Sequence, residues 1–327
     1  MVESFAFYGD SAIGQVIAGN LQRAGFRLAE DIASADAVFT YCLTQQQLED
    51  AYWETDGILS QAHADACVVD LSPSTPSFAK ELYALARAAD QQALDAPLCV
   101  ADITSEHAFA HPENLSVLVG GEAEILDRMQ PMLQAIAGKV RHMGVPGCGQ
   151  IAKAAQTLQF AAQLVSLVEA NALCQVNDET ALAAVHAAVE DGLAAPRVER
   201  LCRALVERDF RGSYTAQVLR AELEAAQNAA EDADLVLPQA EACQRLVELF
   251  MVVGGTDLNA TALGLLFAGE EECKQYHLDW SRAESLYHQH EHDDDDGDDD
   301  NYDPRTDYDD YEADDGYAGG YGGFSSN

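Results

Sequence analysis

An α/β domain built on a mostly parallel, doubly wound sheet, followed by an all-helical domain, is the fold that this 327-residue sequence predicts. Three observations predict it. Apolar strand-like runs alternate with helical stretches as far as Gly144, helical segments without a clear strand follow Gly149, and the first strand runs directly into a glycine-bracketed turn that opens a helix. The boundary falls near residues 144–149, which gives domains at 1–146 and 147–280. The acidic stretch 288–327 follows as a disordered tail.

Residues 4–9 read as a short buried strand that ends in a glycine. Gly9-Asp-Ser-Ala-Ile-Gly14 comes next, and an apolar-periodic helix over 15–24 stops at Gly25. Strand, turn and helix in that order are what a dinucleotide fingerprint requires, with pyrophosphate at the helix N-terminus. The middle position of Gly-x-Gly-x-x-Gly is Ser11, whose Cβ stands where the backbone approaches the pyrophosphate; a plain βα turn fits the same residues. A nucleotide-binding unit continues as strand, helix and strand, with a charged residue at the end of the second strand to hold a ribose. Here residues 26–31 lead within a few positions to the next buried strand, 35–43, so the second strand and the helix after it read as deleted and the sheet as shortened by about one strand-helix unit. Glu30 and Asp31 are the nearest carboxylates for a ribose, and either reads equally well as a loop carboxylate.

The alternation then resumes: a helix over 45–53, a strand over 66–71, and a turn over 72–76 whose Ser74 or Thr75 caps a helix over 77–90. A strand-loop element at 93–101, a strand at 115–121, a helix at 123–137 and a strand at 140–144 complete the first domain.

Gly147 and Gly149 bracket the start of a long helix over 150–176, and with nothing bulky there its first amides are open to a ligand's oxygen atoms. Lys153 lies one turn in. It shares a helical face with Gln156, Thr157 and Phe160, so amine, amide and hydroxyl point into one cleft, the makings of an acid/base site. The same spacing suits a solvated lysine on a packing helix. Further helical segments follow at about 178–191, 195–209, 213–233, 238–253 and 257–268.

The net charge of −38 argues against nucleic acid and anionic lipid as partners, because such a field repels phosphates. Residues 293–327 hold 14 acidic residues against one arginine, so the tail carries −13 and the body the other −25. No uninterrupted apolar run is long enough for a membrane span, and the N-terminus lacks a basic region and cleavage site, so a cytoplasmic protein is expected. The eight cysteines form no Cys-x-x-Cys pair and sit mostly among apolar residues, as buried reduced thiols do. His288-Gln-His-Glu-His292 beside the aspartates lacks the fixed geometry of a metal site, and no metal is expected.

Taken together and in order, the stretches 7–21, 69–76, 94–98, 118–121, 142–153 and 168–173 resemble the β-hydroxyacid dehydrogenase family, the group of 3-hydroxyisobutyrate dehydrogenase, tartronate semialdehyde reductase and 6-phosphogluconate dehydrogenase. The resemblance covers roughly residues 4–268. It implies a Rossmann-like N-terminal domain, a long interdomain helix, a homodimer made through the helical domains, and hydride transfer between NAD or NADP and a hydroxyl or carbonyl carbon of a small molecule. Lys153 falls on the family's catalytic lysine, with Gln156 and Thr157 beside it. The implied cofactor contacts are Gly9, Ser11, Ala12, Ile13, Gly14, Leu43 and Ser72; the implied substrate contacts are Cys99, Val100, Ala101 and Gly149.

Several positions depart from the family pattern. Its substrate-cradling Ser-Gly-Gly is Cys99-Val100-Ala101, a weaker donor and two added side chains. Its paired asparagines are Gln156 and Thr157, and its later Lys-Asp-Leu is Ala221-Glu222-Leu223 with Arg220 the nearest cation. The leading reading is an NAD(P)-dependent oxidoreductase whose substrate is not the usual small hydroxyacid. The alternative is a catalytically inactive member, a dimeric scaffold or binding protein with the acidic tail as its interaction element. A cofactor-independent acid/base enzyme using Lys153 is a third.

Overall fold

Continuous runs of β-branched and aromatic residues make the central strands, which are buried on both faces as parallel strands between helices must be. The computed structural model describes residues 2–177 and 179–285. Its single sheet is assembled from β1 (Ser4–Gly9), β2 (Arg27–Leu28), β3 (Ala37–Tyr41), β4 (Cys67–Asp70), β5 (Gln92–Asp95), β6 (Leu98–Val100), β7 (Leu115–Gly120) and β8 (Lys139–Gly144). The order is β2-β1-β3-β4-β5-β7-β6, with β8 also paired to β7. Strands β1 to β5 run parallel, and β7 opposes β5 and β6 while running with β8.

Side-chain alternation sends neighbouring residues of each strand to opposite faces. Phe39 and Val69 face α1 (Ser11–Arg23) and α5 (Ala123–Ile136), where Ile17, Leu21, Met129 and Leu133 meet them. Val38 and Val68 face the other way, onto Leu48 and Tyr52 of α2 (Gln45–Trp53), Ile58 of the short α3 (Ile58–Gln61) and Leu82 of α4 (Pro76–Ala88). Both layers are mainly apolar where they touch the sheet, with one buried polar contact, the Tyr52 hydroxyl hydrogen-bonded to that of Thr40 in β3 at 2.8 Å. Of the two capping candidates before α4, Thr75 takes the role, accepting from the Phe78 amide at 3.1 Å.

Two expectations need correcting. Helix α1 starts at Ser11, four residues earlier than its apolar periodicity indicated, because Asp10 caps it. The second strand is not deleted: β2 survives as two residues paired to β1, and what has shrunk is the helix after it, now one 3-10 turn at Ile32–Ser34. Sheet pairing preserves a strand that composition alone did not reveal.

The helical region opens with α6 (Cys148–Gln175), at 28 residues the longest element, followed by α7 (Ala181–Glu190), α8 (Pro196–Glu207), α9 (Ala216–Glu231) and α10 (Pro238–Phe250). A π turn at Met251–Gly255 with Gly254 at φ +116°, a 3-10 run at Ala260–Phe267 and α11 (Glu270–Gln275) complete it. Leu164 and Val168 of α6 pack with Leu201 and Leu205 of α8, Leu219 and Leu223 of α9 and Val247 of α10. The described residues as far as Ala283 form one compact unit. The expected disordered tail and its His288–His292 run lie outside the described residues. Among those described, no helix is long and apolar enough to cross a membrane.

Candidate active site

Positioning of the site begins at the first turn of α6. Gly147 has φ +90°, a backbone that L side chains avoid, and an added Cβ would press to 2.9 Å from the Pro76 carbonyl oxygen. The amides of Gly147 and Gln150 donate to the two carboxylate oxygens of Asp95 at 2.9 and 3.1 Å. Gln150 reaches back as well, its side chain donating to the Ser72 carbonyl at 3.0 Å and accepting from the Ser74 amide at 3.1 Å. Helix α6 is thus clamped to the ends of β4 and β5. These amides serve the chain's own carboxylate, which corrects the expectation that they stand open to a ligand. Gly149 is buried in the same clamp, where a Cβ would collide with the Leu118 carbonyl and Asp95.

Burial pushes the carboxyl of Asp95 up to about 6, against the lowering effect of the two amides. Asp70, fully enclosed at the end of β4, is likewise pushed up to about 6 by burial, although Ser72, Thr40 and Ser74 hydrogen-bond to it.

One turn further along α6, Lys153 is only 7% exposed and its Nζ lies 2.5 Å from Oε1 of Glu222, itself 5% exposed. The other Glu222 oxygen accepts from the Thr157 hydroxyl at 3.0 Å. Tyr214 also hydrogen-bonds to Glu222; burial, then the Glu222 charge, holds its phenol well above the usual range. Burial raises the Cys99 thiol too, and the Lys153 charge pulls the other way. A buried amine and carboxyl held this closely offset each other's cost of leaving water, which either alone would bear in full.

The pair borders a cavity of about 260 Å³. The structure brings together here Lys153, Gln156 and Thr157 with Cys99, Val100 and Ala101, two groups about 50 positions apart in sequence. Phe160 completes the helical face of Lys153, and Tyr214 stands edge-on to it at 5.9 Å. Arg197 and Arg200 of α8 reach the same cavity, the first donating to Gln163 and the second paired with Asp102 at 3.2 Å. The arrangement can deliver a proton to an oxygen or nitrogen atom and favours an anionic substituent near the arginines.

The glycine turn lies elsewhere. Gly9 has φ +117°, and a Cβ there would land on the Tyr41 carbonyl, which accepts from the Asp10 amide at 2.7 Å. A Cβ at Gly14 would enter the Phe7 ring. The Asp10 carboxylate accepts from the amides of Ala12 at 3.0 Å and Ile13 at 2.9 Å. Leu43 is half-buried just beyond β3, and Ser72 is fully buried with its hydroxyl accepting from the Cys42 amide at 2.9 Å. None of these cofactor candidates borders the Lys153 cavity. Tyr41 stands between: buried, edge-on to Phe109 at 6.3 Å, with its phenol raised by burial and then by the charges of Glu222 and Asp10. At the end of β2, Glu30 is exposed and Asp31 accepts from the Ser34 amide at 2.9 Å.

The backbone of this turn fits a dinucleotide's pyrophosphate. Two amides at the start of a 13-residue helix converge on one point, and a carboxylate already held there is the stand-in that shows an anion is accepted. The residues that would hold the group are Gly9, Ala12 and Ile13, with Asp10 displaced.

Sequence reasoning did not find Asp10, Tyr41, Asp95 or Tyr214, and it met Glu222 only as a family departure. For Asp10 a signal existed: an aspartate just before an apolar-periodic segment is an N-cap pattern. Nothing local marks the two tyrosines.

Residues 22–144 match the family model of the NAD binding domain of 6-phosphogluconate dehydrogenase; the match begins after the glycine turn. An NAD-dependent L-serine dehydrogenase of Pseudomonas aeruginosa is 26% identical over 297 residues, which is 81% of this chain and 98% of that one. A probable 3-hydroxyisobutyrate dehydrogenase-like protein of Arabidopsis thaliana is 32% identical over 216 residues, 64% of this chain and 66% of the relative. Among solved structures, Mycobacterium tuberculosis 3-hydroxyisobutyrate dehydrogenase with L-serine superposes at a TM-score of 0.71, with 23% identity, 82% of this chain and all of that one covered. A second, Psf3 in complex with NADP+ and 2-OPP, superposes at 0.67 with 17% identity, over 81% of this chain and all of the other. These structures share the fold.

Proposed function

We propose that this chain, a member of the β-hydroxyacid dehydrogenase family, the group of 3-hydroxyisobutyrate and 6-phosphogluconate dehydrogenases, is an NAD(P)-dependent oxidoreductase acting on a small carbonyl or hydroxyl compound in the Lys153 cavity. The observation that carries this reading is the buried Lys153–Glu222 pair at the wall of that cavity. Reduction of a carbonyl adds a hydride to carbon and a proton to oxygen; a bound nicotinamide supplies the first. Lys153 supplies the second from its ammonium, and takes it back when an alcohol is oxidised.

Glu222 pairs with Lys153 and fixes the direction of its Nζ, while Thr157 and Tyr214 hold the carboxylate. Gln156 offers an amide to the substrate's polar atoms. Cys99, Val100 and Ala101 also line the cavity, and their side chains narrow the space for a carboxylate bound to backbone. Arg197 and Arg200 support an anionic group placed toward α8 instead. Homodimer formation through the helical region is part of the same proposal, supported by Leu173 and Val176, which lie exposed at the end of α6.

The test is turnover of carbonyl and imine compounds with NADPH and NADH. Lys153→Ala is expected to abolish it while cofactor affinity stays nearly unchanged; loss of both together would make Lys153 structural and end the catalytic reading. The inactive-scaffold reading is favoured by one observation, the Asp10 carboxylate on the turn's amides. Ligand binding without turnover across these compounds would select it.

A further inference from the structure

Dinucleotide turns use three glycines for three purposes: a tight turn, close approach of the phosphates, and helix-strand packing. In this chain the first and third are explained without any ligand. Gly9 is required by the Tyr41 carbonyl and Gly14 by the Phe7 ring. The position whose missing side chain would admit phosphate is the one replaced, by Ser11. Next to it, Asp10 places a carboxylate on the amides of Ala12 and Ile13, at 3.0 and 2.9 Å. Those are the donors that a helix N-terminus would offer a pyrophosphate, and each has one hydrogen to give.

We propose that Asp10 is a built-in competitor for the cofactor's pyrophosphate, so that a dinucleotide binds only when this carboxylate rotates off the two amides. The inference rests on the nicotinamide reading above. Two like-charged groups cannot share one pair of donors, and a carboxylate left within a few ångströms of the phosphates repels them. Asp10 is only half-buried, so its carboxylate turns out into water without breaking the core. It caps α1 in the free protein, and the free protein is thereby stabilised against the bound one. Cofactor affinity is set by that exchange, and the residue tunes it downward.

The test is titration of the full chain with NADPH, NADH, ADP-ribose and adenosine by calorimetry, together with nucleotide-free melting, for wild type, Asp10→Ala and Asp10→Asn. Asp10→Ala is expected to bind NADPH, NADH and ADP-ribose about tenfold more tightly, and Asp10→Asn by a smaller factor, since its like charge is gone while its side-chain oxygen still occupies the amides. Adenosine, which has no phosphate, should gain nothing. Asp10→Ala should melt about 2 °C lower without nucleotide because the cap is lost, and Asp10→Asn, which caps as well as aspartate, should not. Tighter binding beside lower stability is a pair of opposite shifts that mere structural damage does not produce. Wild type that binds dinucleotides as tightly as both variants overturns the inference and leaves the nicotinamide reading standing, as does an equal gain for adenosine. No dinucleotide binding by wild type or either variant overturns both.

Discussion

Lys153 on α6 and Glu222 on α9 meet 2.5 Å apart across 69 residues of sequence, in a place that water scarcely reaches. The pair is both the chemistry and a structural tie between the two helices, and its removal should show in both.

Replacing one partner leaves the other charged and buried, which costs roughly 3–5 kcal/mol. Lys153→Met and Glu222→Gln are each expected to lower denaturant stability on that order. The double variant should lose clearly less than the sum, because neither charge is then stranded. Urea unfolding of the four proteins checks this, and additive losses would mean the two side chains are not energetically coupled.

Stability should also depend on pH through Asp70 and Asp95. Their folded values of about 6 lie above the ordinary 3.8, so between these limits the native state binds more protons than the unfolded chain. Their contribution therefore falls as pH rises from about 4 to 6 and stays unfavourable above it, by about 3 kcal/mol for Asp70. Asp70→Asn cannot titrate. Subtracting its unfolding free energies from those of wild type at pH 4.5 to 7.5 should reveal a declining curve, and a flat one would refute the assignment.

Gly149→Ala should be among the most damaging single changes in the sheet half. Its methyl group would strike the Leu118 carbonyl and the Asp95 carboxylate, and the first turn of α6 would have to lift. Overpacking of this kind costs about 1–3 kcal/mol. Because Lys153 is one turn away, kcat should fall more than KM rises; a melting shift without loss of turnover would show that the helix start tolerates displacement.

Arg197→Met removes a cation at the cavity while keeping most of the aliphatic bulk. For substrates carrying a carboxylate or phosphate, KM should rise about tenfold with kcat little changed, and neutral analogues should be unaffected. Equal effects on both classes would mean that Arg197 serves packing, through its contact with Gln163.

Local pattern determined a great deal about this protein by itself. Alternating apolar runs specified β1, β3, β4 and β7 and the helices between them, and the spacing of Lys153, Gln156, Thr157 and Phe160 identified the face of α6 that borders the cavity. A continuous apolar run and a 3.6-residue period are properties of neighbouring positions, so such elements can be read from neighbours alone. The two-residue β2 escaped because a strand that short has no period and exists only through its pairing with β1.

What only the tertiary structure decided is which anion each helix start holds and which acid meets the lysine. Asp95 lies 52 residues from Gly147, and Glu222 lies 65 from Thr157. Partners so distant are brought together by the crossing of α9 over α6 and by the end of β5 under Gly147. The energy of a buried hydrogen bond or ion pair depends on exclusion from water, and that exclusion exists only after the whole chain has packed.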